Sequence, residues 1–149
     1  MTAEDAIWLA PAFVAVWVAI CVLLSVIGGW HELSHRFASD TPIDGKLFRF
    51  ASGVMGHPLF TVNYRHCLSV TVGPRGLALA VAFPFRLLHP RLVIPWSAVE
   101  RCELVTYWFA KHVAVHAVGF RRRLLFRGAV GDRILETCAR SSRAQEGRT

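Results

Sequence analysis

The chain has 149 residues, 54% apolar and 18% charged, with a formal net charge of +7 and a sequence pI near 10.1. That length fits a single domain. A mean hydropathy of +0.40 excludes an ordinary soluble domain, and the charge content excludes a multi-span membrane protein.

The apolar excess sits at one end. Residues 1–6, MTAEDA, form a short flank carrying Glu4 and Asp5 and no Lys or Arg. From Ile7 to Gly29 no residue is charged, and as a helix this run covers roughly 34 Å, enough for a hydrocarbon core of about 30 Å. The sequence therefore predicts a transmembrane helix over 7–30, bracketed by Trp8 and Trp30 as membrane-interface anchors. Pro11 falls in its first turns, where a missing N–H costs little. A cleaved signal peptide fits less well, since the flank lacks a positive n-region. All 17 Lys and Arg follow the span, against eight acidic residues, so residues 31–149 carry formal net +9. The positive-inside bias places the C-terminal part in the cytoplasm and the N-terminus outside, in a cell's inner membrane.

HELSH (31–35) follows the span and has the form of a zinc-protease signature. On a helix His31 and His35 share a face, and Glu32 could serve as base on a zinc-bound water. A catalytic zinc needs a third protein ligand. The metzincin extension requires Gly and His where Ala38 and Thr41 stand, and no glutamate occurs between Glu32 and Glu100. An intramembrane protease would add a second motif with an aspartate, of which PIDG with Asp44 is a faint echo, and would need several membrane helices. The plainer reading makes His31 and His35 interfacial residues on a prolonged helix, with Glu32 and Arg36 paired at i, i+4. Residues 31–45 then read as helix extension and linker, with the break at ASDTPIDG.

Residues 46–142 read as a domain with a different period. KLFRFASGVMG (46–56) and LFTVNYRH (59–66) give one or two strands. LSVTV (68–72) and GLALAVAF (76–83) flank the turn GPRG and form a hairpin. RLVIPW (91–96), CELVTYWFA (102–110), HVAVHAVGF (112–120) and RRLLFRG (122–128) are short and rich in β-branched and aromatic residues. Val130, Ile134, Leu135 and Cys138 mark one face of a C-terminal helix, with 143–149 as a flexible tail. Within this domain YWF (107–109) reads as core rather than as a ligand box. The segment FPFRLLHPR (83–91) either dips into the bilayer, binds a partner, or covers the open end of the sheet. Cys21, Cys67, Cys102 and Cys138 have no C-x-x-C spacing and read as free thiols.

The expected fold is thus a single N-terminal transmembrane helix followed by a mainly β domain: an antiparallel barrel or sandwich of about six or seven strands capped by an amphipathic helix. VGPRGLALAV, with Gly76 opening a strand, and RLVIPWSAVE, where Ile94-Pro95-Trp96-Ser97 precedes Val99, resemble the "G-L-x-L … I-P-W-x-x-[IV]" arrangement of bacterial pleckstrin-homology-like (PH-like) domains that follow membrane segments. With GW ending the span and FPFRLLHP before the IPW segment, the layout also looks like a family of small uncharacterised bacterial membrane proteins. The resemblance implies fold more than function, because PH-like domains serve lipids, peptides and scaffolding alike.

For function, the strongest charge cluster is Arg121, Arg122 and Arg123, with Arg127 close by. It reads either as a contact for anionic lipid headgroups or a membrane-protein partner, or as a solvated turn. Arg65, Arg75, Arg86 and Arg91 lie near strand ends. No nucleic-acid-binding signature accompanies the positive charge, no phosphate-cradling glycine loop or nucleophile elbow occurs, and no cofactor is implied. The reading is a membrane-anchored, non-enzymatic binding or scaffolding module; the alternative is a membrane-edge zinc metallohydrolase built on His31, Glu32 and His35.

Overall fold

A computed structural model describes residues 3–57 and 59–148; of the expected flank and tail, Met1, Thr2 and Thr149 lie outside them. In chain order the elements are α1 (Ala3–Gly28), α2 (Trp30–Phe37), β1 (Lys46–His57), β2 (Phe60–Val72), β3 (Gly76–Val81), β4 (Leu92–Pro95), a 3-10 turn (Trp96–Ala98), β5 (Val99–Tyr107), β6 (Ala110–Ala117), β7 (Arg123–Phe126) and α3 (Ala129–Glu146). The seven strands form one antiparallel, curled sheet in the order β4-β3-β2-β1-β7-β6-β5. The expected architecture of apolar helix, antiparallel β domain of about six or seven strands and C-terminal helix is the one observed, with seven strands in a curled half-barrel.

The alternation in the sequence sets the register. Leu68↔Val81, Val70↔Leu79 and Val72↔Leu77 are opposite pairs across the GPRG hairpin, and all six side chains are buried. The same interior face takes Ile94, Val113, Val115, Leu124 and Phe126. α3 closes it from the end, packing against β2, β5, β6 and β7 through Val130, Ile134 and Cys138, the stripe its 3.6-residue period prescribes. The Cys102 thiol, half-buried beside Cys138, is held well above the ordinary thiol range by burial and by its contact with Cys138. α3 continues to Glu146, so most of the expected tail is helical.

α1 contains one stretch, Ala6–Gly28, long and apolar enough to cross a membrane. It does not continue to residue 30. Gly29 takes a left-handed conformation (φ 82°) and starts a new helix, a backbone state that costs a Cβ-bearing residue about 1–2 kcal/mol. The break turns Trp30 and Leu33 into the domain core, where they are 0% and 1% exposed. Trp30 is therefore a core residue, not a membrane-interface anchor; Trp8, at the other end, is 74% exposed. α2 covers the short edge strand β4, with Ala38 bridged to Leu92, which hides unpaired strand groups. The segment expected as a linker is pinned as well: Ser39 N–H donates to the Arg91 carbonyl, and the Arg91 guanidinium donates to the carbonyls of Asp40 and Thr41.

YWF (107–109) is not core beyond the half-buried Tyr107. Tyr107 pairs with Ala110 across a two-residue turn, and Trp108 and Phe109 at its tip are 79% and 100% exposed. A tight hairpin points its two central side chains outward whatever their hydrophobicity.

Candidate functional site

Two places on the molecule gather polar chemistry. The first is the junction of α1, α2 and the 82–91 loop. Trp30 Nε1–H donates to the Pro90 carbonyl at 2.9 Å, and its ring lies 5.7 Å from Tyr64 and 5.3 Å from His89. His89 Nδ1–H donates to the Leu87 carbonyl at 2.9 Å, which leaves Nε2 to accept from the Tyr64 hydroxyl at 3.1 Å. Burial lowers the His89 pKa and raises that of Tyr64, so both stay neutral and the network is satisfied. The Ser25 hydroxyl donates to the Leu88 carbonyl at 2.9 Å. On the other side Arg122 donates to the carbonyls of Val26 and Ile27 at 3.1 and 2.6 Å. These belong to the last turn of α1, where carbonyls lack intrahelical partners and a cation is favoured. The end of α1 is thereby built into the domain.

HELSH lies on α2 beside this junction. His31 and His35 Nε2 approach to 3.1 Å, and both side chains are exposed. No third His, Cys, Asp or Glu joins them among the described residues. Glu32 and Arg36 do not pair; Arg36 instead donates to the Val118 carbonyl at 3.3 Å, drawn there because α2 packs beside the β6–β7 turn.

The second place is an open groove of about 590 Å³, with Arg49, Arg65, Arg127, His66, Ser52 and Asn63 among its lining residues. Two bulges shape it. Phe50 and His66 both have left-handed backbones (φ 56° and 55°), and the β1–β2 register shifts between Phe48 and Gly53. His66 N–H donates to the Ser52 hydroxyl at 3.1 Å and His66 Nδ1 to the Phe50 carbonyl at 3.3 Å, which stitches the bulges together. Bulged strands bend and re-aim their side chains, and a bulky residue held at positive φ marks strain that the surroundings must stabilise. The N-terminal residues of α3, Ala129 and Val130, line the same groove; its N-cap, Gly128, supplies no side-chain cap, and the acidic residue of the first turn, Asp132, is not among the lining residues, so backbone N–H groups of the helix start face the groove's end. Among the described residues no carboxylate lines the groove, and Arg49, Arg65 and Arg127 form no ion pair. The volume matches that of small-ligand sites, and the electrostatics select an anion.

The arginines singled out in the sequence are thus dispersed. Of the cluster at 121–127, Arg122 caps α1, Arg121 is exposed in the β6–β7 turn, Arg123 lines a small crevice with Thr61 and Tyr107, and Arg127 joins the groove, where Arg65 from the strand-end set meets it. Arg49 and His66 escaped sequence reasoning. The one hint was the polar run Asn63, Arg65, His66 interrupting a strand pattern, without a sign of what it would face.

A scan against protein-family models and a search of curated proteins find nothing that matches this chain.

Proposed function

We propose that the chain is a membrane-anchored, non-enzymatic, PH-like binding module whose domain sits at the cytoplasmic face of the bilayer and takes a phosphate-bearing anionic lipid headgroup in the Arg49–Arg65–Arg127 groove. The observation that carries this reading is the groove itself: three cations without a counter-charge, converging with a helix N-terminus on a cavity of headgroup size. The integrated end of α1 supports it by holding the domain within reach of the membrane. The direction of insertion rests on the excess of Lys and Arg after the span.

The test uses full-length protein in nanodiscs of phosphatidylcholine alone or with phosphatidic acid, with bound lipid quantified after repurification in detergent. Phosphatidic acid should be enriched, and Arg65→Ala with Arg127→Ala should reduce the enrichment roughly thirtyfold, at about 1 kcal/mol per basic contact. Arg121→Ala should leave it unchanged. Equal retention of both lipids by wild type would defeat the reading, and so would loss with Arg121→Ala alone, which would move the contact to the β6–β7 turn.

A further inference from the structure

The 82–91 loop carries chemistry that the groove does not use. Within FPFRLL (83–88), Phe83 is 87% exposed, Leu88 50%, and Phe85 and Leu87 each 41%. Four large apolar side chains in six residues, with Arg86 as the single charge, form an unusually apolar surface for a loop between strands. Leu88 is held with a left-handed backbone (φ 59°), so this presentation is sustained against local strain.

The position of the loop says what covers it. Its Leu88 carbonyl accepts from Ser25, three residues before the end of α1, and Leu88 and Pro90 share a crevice with Val22, Ser25 and Val26. One residue of helix rises about 1.5 Å, so the contact lies roughly 4–5 Å inside the apolar helix. A bilayer crossed by Ala6–Gly28 needs nearly all of those 23 residues. The level of Ser25 is then the boundary between acyl chains and headgroups. Val22, Leu23 and Val26 are exposed there, at 41%, 55% and 52%, so the apolar surface of the loop continues that of the helix. The carbonyls of Leu87, Leu88 and Pro90 are occupied by His89, Ser25 and Trp30, which relieves those backbone acceptors of the need for water.

We infer that residues 83–88 insert into the acyl–headgroup boundary of the bilayer that α1 crosses, as a second, non-spanning attachment. Phe83, Phe85, Leu87 and Leu88 enter the apolar layer, and Arg86 extends back to the phosphates. Two attachments fix the rotation of the domain about the helix axis and its height above the membrane. The inference rests on α1 spanning a bilayer, and it is independent of what the groove binds.

The experiment is photolabelling of the full chain in phosphatidylcholine vesicles doped with a lipid bearing a carbene precursor, either high or low on its acyl chain, with adducts located by peptide mass spectrometry. The deep probe should label the middle of α1, around residues 12–22 of the Ala6–Gly28 stretch. The shallow probe should label 83–88 at about tenfold the yield on the 73–76 turn, at the opposite end of β3. Phe83→Asp with Leu88→Asp should bring the loop down to the yield of the turn while α1 adducts persist. Labelled α1 with an unlabelled loop overturns the inference and leaves the anchor standing. Loop labelling that is absent at high protein-to-lipid ratio and appears only as the chain is diluted into excess lipid overturns it in favour of a second copy as the occupant. An unlabelled α1 removes the anchor itself and the inference with it.

Discussion

Replacing Trp30 by alanine separates a core residue from a membrane-edge residue. Trp30 is 0% exposed, packs against Tyr64 and His89, and donates its indole N–H to Pro90. Truncating a fully buried tryptophan costs about 3–5 kcal/mol, and the larger end applies here because the part-buried hydrogen bond to the Pro90 carbonyl is lost as well. For a chain of this size that lowers the melting temperature by roughly 10–20 °C. Trp30→Phe keeps most of the packing and removes the hydrogen bond, so it should cost only about 1–2 kcal/mol. The assay is thermal unfolding in mild detergent followed by far-ultraviolet circular dichroism of the strands. A loss below about 1 kcal/mol in Trp30→Ala, the range of ordinary surface changes, would refute the core assignment and return Trp30 to the bilayer edge.

Gly29→Ala should destabilise by about 2 kcal/mol in the same melts, because the residue is left-handed and a Cβ would come within 3.0 Å of Arg122 and Phe120; no change would mean that the helix break is not needed. Trp108→Asn with Phe109→Gly should raise the urea midpoint by about 1–2 kcal/mol equivalent, since both tip residues have positive φ (47° and 61°) and Asn-Gly suits such a turn; a decrease would show that the aromatic tip packs on something. The His89 pKa is lowered from its ordinary 6.5 by burial, so the unfolded chain takes up the proton first. Stability from this group is at its full value above about pH 6.5 and declines as pH falls toward the folded pKa. Melting curves between pH 7 and 5 should therefore slope more steeply in wild type than in His89→Gln, and parallel slopes would contradict the buried, neutral imidazole.

The sequence by itself determined most of the architecture. An uncharged run longer than a bilayer is thick has one economical form, and alternation at 68–72 and 76–81 permits one register without turning Leu and Val outward. The stripe Val130, Ile134, Cys138 likewise defines the buried face of α3. Local pattern could not reveal which surfaces those elements would share. Trp30 looked interfacial because apolar residues precede it, yet one left-handed glycine redirects it into the core. Trp108 and Phe109 looked like core because they are aromatic, yet a two-residue turn leaves them outside. The groove depends on two bulges in neighbouring strands that bring Arg49, Arg65 and Arg127 together across 78 positions of sequence. Burial, strand bending and the pairing of charges are set by long-range contacts, so only the tertiary structure decided them.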